Sequence, residues 1–243
     1  MYKLKWPDKI DKELIFNELC IYFNVTRDII NNLWYEYLDI HTQHNHKKLG
    51  EYKTLNTEET FIIFIIMKLY KLETIVEIGT LLGKSTRRII DIKTTLKQNI
   101  LIKCYDIVNS VQYFKPSEAQ LILKDITNSI KKDVIDNYKT PTLIYLDAHP
   151  YDITKNVILE TLQSDNHFLI IHDCGEILCN PQMTISRNDP ITSITGHWER
   201  YVLADVFGLS NPLDKLLNIQ ETQRHKMRVF STLHGLCAII PKQ

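Results

Sequence analysis

Two apolar runs in the chain end in side chains able to do chemistry. Leu143-Ile-Tyr-Leu146 leads into Asp147-Ala-His149-Pro-Tyr151, and Phe168-Leu-Ile-Ile171 leads into His172-Asp173-Cys174-Gly-Glu176. Asp147 and Asp173 lie 26 positions apart, the length of a strand end, a helix and a further strand. If the two strands are neighbours, both carboxylates emerge at the carboxyl edge of a parallel sheet, where ligands bind. His149 and His172 offer a second chemistry, that of a general base taking a hydroxyl proton near neutral pH. The bland alternative for His172, which closes an apolar strand, is a satisfied core histidine.

A second group of candidates lies upstream. Only seven glycines occur, and two fall in Glu77-Ile-Gly79-Thr80-Leu-Leu-Gly83-Lys-Ser85-Thr86. This loop follows a strand-like run and opens a helix-like one, where backbone N–H groups and the helix dipole meet a ligand. A tight turn needing two glycines would look the same. A dinucleotide fingerprint needs G-x-G-x-x-G, and Leu81 breaks it. A P-loop needs one residue more before Gly83-Lys84-Ser85, although the strand ending at Asp147 imitates its magnesium-binding acid; that reading stays open as the runner-up. Glu77, two positions before Gly79, adds an acid that suits a cationic ligand better than a triphosphate.

With that acid included, the loop resembles the first motif of class I S-adenosylmethionine-dependent methyltransferases, E/D-x-G-x-x-x-G, and the resemblance covers roughly Glu73 to Ile240. It implies that Gly79 and Gly83 let the backbone approach the cofactor, with Thr80 and Ser85 beside it and Glu77 near its methionine part. It implies also that Asp106, which ends the second strand 27 positions after Gly79, holds the ribose hydroxyls. Asp125, ending the third strand, matches a position that binds the adenine amino group; its commoner use is as a turn or cap residue. The Asp147/Asp173 pair resembles the metal-dependent O-methyltransferases that act on catechols and on sugar hydroxyls of natural products. Those hold Mg²⁺, which suits two carboxylates and a water shell, lowers the pKa of a substrate hydroxyl and positions it for the methyl group. Cys174 stands where the catechol enzymes carry an amide ligand, so the third protein ligand is left open. The mixed Asp and His set also suits iron.

These residues need a scaffold, and the chain has the pattern for one. Runs at 74–78, 100–105, 120–124, 142–146 and 168–171 read as strands; helix-like stretches at 85–97, 128–138 and 152–162 separate them. That alternation predicts a Rossmann-like, doubly wound, mostly parallel α/β sheet. Runs at 226–230 and 235–240 predict a closing antiparallel hairpin, for seven strands in all. A helix is expected near 198–207, and the polar segment 180–197 is a candidate substrate-side loop. Asn56-Thr-Glu-Glu59 reads as a capping box opening a helix apolar all round from Phe61. Residues 1–55 read as an N-terminal helical extension that would cover the active-site mouth or form a homodimer contact, and 56–243 as the methyltransferase domain. His41, His44 and His46 lie in a polar stretch that reads as a solvated loop rather than a metal site.

Composition excludes several classes. Of 243 residues 44% are hydrophobic, enough for a full core. Lys plus Arg and Asp plus Glu are both 29, so no general basic field draws nucleic acid. Five Cys without a CxxC pair fit neither a zinc ribbon nor a disulfide framework. The longest apolar run, 61–67, is far short of the ~20 residues a bilayer span needs. The expectation is a cytoplasmic O-methyltransferase using S-adenosylmethionine, assisted by Mg²⁺, on a small-molecule or sugar hydroxyl. The alternatives are a nucleotide-binding NTPase or kinase, and a methyltransferase-like fold that binds without turnover.

Overall fold

A computed structural model describes residues 11–50, 55–174, 199–209 and 218–242. Two helices come first, α1 (Lys12–Phe23) and α2 (Arg27–Gln43). Each starts on a side-chain cap, Asp11 Oδ1 accepting from Leu14 N and Thr26 Oγ1 from Ile29 N. Next is α3 (Thr57–Leu69), opened by the expected capping box: Asn56 Oδ1 accepts from Glu59 N, and Asn56 N donates to Glu59 Oε2. Its residues from Glu59 to Met67 are all buried.

The alternating part follows: β1 (Thr74–Ile78), α4 (Lys84–Thr95), β2 (Leu101–Asp106), β3 (Gln120–Leu123), β4 (Thr142–Leu146), α5 (Tyr151–Leu162) and β5 (His167–Ile171). After α6 (Glu199–Val206) come β6 (Gln220–Glu221), β7 (His225–Phe230) and β8 (Leu236–Pro241). Strand order is β3-β2-β1-β4-β5-β8-β7-β6. β1 to β5 pair in parallel, while β8 runs antiparallel to β5 and closes a hairpin with β7. Among the described residues the sheet thus has the seven expected strands and an eighth, the two-residue edge pairing β6, too short to leave a sequence pattern.

Two stretches differ from their reading. Residues 128–138 form only a five-residue π-helical turn, Lys131–Ile135. Only Ile130 and Val134 of this stretch are fully buried, with Ile135 and Tyr138 partly so, which is little apolar burial to hold a full helix. The histidine stretch is not a solvated loop. α2 continues to Gln43, a 3₁₀ turn spans His46–Leu49, and His46 is buried with Nε2 3.1 Å from Asp91 Oδ2 of α4. His44 reaches the same carboxylate, so a shared acid draws the histidines inward.

Strand alternation sorts the side chains onto two faces. Val76, Ile78, Ile144, Leu146, Leu169 and Ile171 pack beneath α5 and α6. Ile75, Leu143, Tyr145, Phe168 and Ile170 pack beneath α3 and α4, and α1 and α2 share that core through Phe16, Trp34 and Tyr37 against Phe61 and Phe64. α1 is tied to the hairpin: Tyr22 Oη donates to Ala238 O at 2.7 Å, and Arg228 pairs with Glu18 at 2.9 Å. Strand order reverses at β1, which pairs with β2 on one side and β4 on the other. The crevice at such a reversal is where open α/β sheets bind ligands.

Candidate active site

The glycine loop sits at that crevice. Ile78 pairs with Leu146, so Gly79 and Asp147 leave adjacent strands side by side. Gly79 has φ +88°, and a Cβ there would lie 2.5 Å from Asp147 O. Gly83, φ +81°, caps α4 with no side chain to bond its first-turn N–H groups. The loop is held shut on itself: Gly79 N donates to Tyr105 O (2.9 Å), Gly83 N to Thr80 O (2.8 Å), and Leu81 N to Asp106 Oδ2 (2.7 Å). Asp106 also accepts from Val108 N, which fixes its carboxylate at the loop mouth.

Glu77 lies on the α3–α4 face, between Cys104 and Tyr145 of the neighbouring strands. It is 1% exposed, accepts a hydrogen bond from Thr86 Oγ1, and leaves Oε1 without a partner. Burial pushes its carboxyl up to about 8, the Thr86 bond opposing, so it is protonated at neutral pH. Its presence alone therefore does not repel a phosphate. Thr80 Oγ1 is a second buried, unbonded oxygen in the loop. Ser85 is buried in the first turn of α4. Asp125 follows Lys124, whose N–H donates to Asp106 O at 2.9 Å, and is exposed, its Oδ1 capping Thr127 N at 2.9 Å; that bond lowers its pKa.

Asp147, His149, His172 and Asp173 converge at the carboxyl ends of β4 and β5, which are neighbours. His172 Nδ1 lies 3.2 Å from Asp147 Oδ1 and 3.2 Å from Asp173 Oδ1. Tyr145 Oη donates to Asp147 Oδ2 at 3.2 Å. His149 Nδ1 lies 2.8 Å from Glu199 Oε1, and its Nε2 lies 4.0 Å from Asp173 Oδ2. Asp173 has φ +59°, a left-handed conformation that an Asp tolerates and that turns the chain back after β5. Cys174 is fully buried, its Sγ donating to Ile171 O and His172 O, so the thiol faces the core. The segment 180–197 lies outside the described residues.

Three contributors were not legible as such. Glu59, read only as a capping residue, is wholly buried beneath His172. Its Oε2 accepts from His172 Nε2 (3.3 Å), His234 Nδ1 (3.0 Å) and Asn56 N, and its Oε1 from Thr232 Oγ1 and His234 N. Burial favours the neutral acid, but the two histidines outweigh it and hold Glu59 well below the usual carboxylate range. Glu199 and His234 are the others. Around this frame both site histidines carry raised pKa values. Burial opposes the charge on His149, yet Glu199 lifts it to about 9. His172 is likewise raised against its burial by Tyr145, Asp173, Asp147 and Glu59. Both shifts favour the imidazolium form.

No protein-family model matches the chain, and no curated protein is significantly similar to it. Among solved structures, the S-adenosylhomocysteine-bound methyltransferase PaMTH1 of Podospora anserina aligns with a TM-score of 0.52 at 16% identity, over 84% of this chain and 88% of that one. An O-methyltransferase of Bacillus cereus in complex with S-adenosylhomocysteine aligns at 0.48 and 15% identity, over 87% and 91%. A CmcI structure with the same ligand aligns at 0.40 and 17%; there the match covers 47% of this chain and 59% of CmcI. The fold is the Rossmann-like fold of the class I methyltransferases. Among the described residues, no helix is long and apolar enough to cross a membrane.

Proposed function

We propose that the chain is an S-adenosylmethionine-dependent methyltransferase acting on a hydroxyl oxygen of a small-molecule or sugar acceptor, assisted by a divalent cation at Asp147 and Asp173. One observation carries the reading: the β1–β4 register sets the glycine loop directly against Asp147, so the cofactor loop and the acid pair share one crevice. The buried, unbonded Glu77 Oε1 and Thr80 Oγ1, the uncapped first turn of α4 and the two glycines fit an S-adenosylmethionine cradle. Asp106 would take the ribose, and Asp125 would reach the adenine side.

The loop fits a P-loop less well. A phosphate nest needs its amides pointed outward, whereas the amides of Gly79, Leu81 and Gly83 are bonded within the protein. Asp106 places a carboxylate at the mouth, and Lys84 Nζ lies over the Tyr113 ring at 5.6 Å.

The bound cofactor would supply an electrophilic methyl group, and the cation would acidify the acceptor hydroxyl. The chain's own groups do the positioning. Tyr145 Oη and His172 Nδ1 fix the Asp147 carboxylate, and His172 holds Asp173 beside it. A histidine acting alone as the base is disfavoured, because Glu199, Asp147, Asp173 and Glu59 favour the protonated form of these rings. Calorimetry with S-adenosylhomocysteine and with ATP tests the reading. The first should bind and the second should not; tight ATP binding in its place overturns it. Turnover on a hydroxyl-bearing library separates an enzyme from a binding protein.

A further inference from the structure

The cation site carries a third donor whose chemistry differs from the other two. One ligand atom from each of Asp147, His149 and Asp173 lies within 4.8 Å of the others. His149 is fixed for this by Glu199, a carboxylate 2% exposed in the first turn of α6, whose Oε1 bonds Nδ1 at 2.8 Å and leaves Nε2 on the side of Asp173. A carboxylate behind a histidine is the arrangement that sets the tautomer and aim of metal-ligating imidazoles. His172 is a poorer donor. Its Nδ1 already bridges the Oδ1 atoms of Asp147 and Asp173, and its Nε2 meets Glu59. The other cluster of ligand-type atoms among the described residues, Glu59 with His172 and His234, is fully buried around a carboxylate that already accepts five hydrogen bonds.

The available set is therefore two carboxylates and one imidazole. Mg²⁺ seeks hard oxygen ligands and keeps its waters. Imidazole nitrogen suits first-row transition ions, whose affinity for mixed nitrogen and oxygen sites rises from Mn²⁺ through Co²⁺. We infer that this site selects a first-row transition cation such as Mn²⁺, Co²⁺ or Zn²⁺ over Mg²⁺, with His149 Nε2 as the third protein ligand and Glu199 as its positioning residue. This rests on the proposal that Asp147 and Asp173 hold a cation, and it names which cation.

The test is a titration of the metal-stripped full chain with Co²⁺ and with Mg²⁺, by calorimetry and, for Co²⁺, by its visible absorption. One Co²⁺ should bind at least about 100-fold more tightly than Mg²⁺, and Asp147→Asn with Asp173→Asn should abolish that binding, which excludes capture by surface histidines. His149→Asp, which makes the set all oxygen, should change the Co²⁺ spectrum and narrow the Co²⁺/Mg²⁺ ratio at least tenfold. Glu199→Gln should weaken Co²⁺ about 10- to 100-fold, the usual reach of an outer partner. Equal affinity of the parent protein for the two ions, no bound cation, or a ratio unmoved by His149→Asp in a folded variant overturns the inference. S-adenosylhomocysteine is titrated into the same samples. Its failure to bind would sink the methyltransferase reading while leaving the metal result standing.

Discussion

Replacing Gly79 by alanine should damage the protein in a way that can be apportioned. At φ +88° a Cβ costs about 1–2 kcal/mol in left-handed strain. The added atom would also lie 2.5 Å from Asp147 O, 2.8 Å from Asp147 C and 3.0 Å from Ala148 N. All three are backbone atoms of the adjoining strand end, so no side chain can swing aside, and overpacking adds about 1–3 kcal/mol. The sum, about 2–5 kcal/mol, corresponds in a chain of this size to a fall in Tm of roughly 5–15 °C. Gly208 supplies the control: its φ is +65° but nothing lies within 4 Å of its Cβ position, so Gly208→Ala should show the strain alone. Differential scanning calorimetry of both variants, with S-adenosylhomocysteine titrations, reads the result. Gly79→Ala should melt several degrees below Gly208→Ala and lose ligand affinity, because β1 and β4 are pushed apart where the ligand would sit. Equal melting shifts, or an unchanged affinity, would refute the close packing of loop against strand on which the crevice depends.

Asp106→Ala should weaken S-adenosylhomocysteine by about 2 kcal/mol, since it removes both the expected ribose acceptor and the Leu81 amide's partner; calorimetry showing no change would remove Asp106 from the site. Asp147→Asn and Asp173→Asn should each lower turnover by a factor on the order of 10² while leaving S-adenosylhomocysteine affinity within a few-fold, and a matching loss of both would mean the acids belong to the cofactor site. Because His149 is raised from 6.5 to about 9 on folding, its stabilisation is full below about pH 6.5 and disappears as pH rises through 9. Melting of the metal-free protein should therefore decline across that window, and more shallowly in Glu199→Gln; parallel curves would sever the pair. Glu59 works in the opposite direction, contributing above the usual carboxylate range and losing its contribution as pH falls through its depressed folded value. Glu59→Ala should cost about 3–5 kcal/mol in urea unfolding, as it strands two buried histidines, and a loss under 1 kcal/mol would show that they find other partners.

What the sequence discloses is what short range determines. β1, β4 and β5 are runs of buried β-branched and aromatic residues, and their parallel order follows from the helices between them. The convergence of Asp147 and Asp173 needed only one strand-helix-strand spacing. Even the shared orientation of Glu77, Tyr145, Asp147 and His172 follows from alternation once the strand limits are known. The contacts that missed detection join distant positions: Glu199 to His149 across 50 residues, Glu59 to His172 across 113, and His234 to Glu59 across 175. No periodicity records such pairs, and Glu59 already had a sufficient local explanation in the capping box. The environment of the histidines at 41–46 escapes the sequence for the same reason, because the acid that pairs with His44 and His46, Asp91, lies 45 residues beyond His46.

The position of Glu59 also sets an order in time. A chain leaving the ribosome has made the glycine loop, Asp147, His172 and Asp173 well before it makes Thr232 and His234, the last two donors to that carboxylate. At about 5–20 residues per second, the sixty residues after Cys174 take roughly 3–12 s. Through that interval Glu59 lacks three of its five hydrogen bonds, and the strand β8 that will flank β5 does not yet exist. The nascent protein thus carries Asp147, His172 and Asp173 for some seconds without the bracing that aims them, and the proposed cation site is complete only when the hairpin closes.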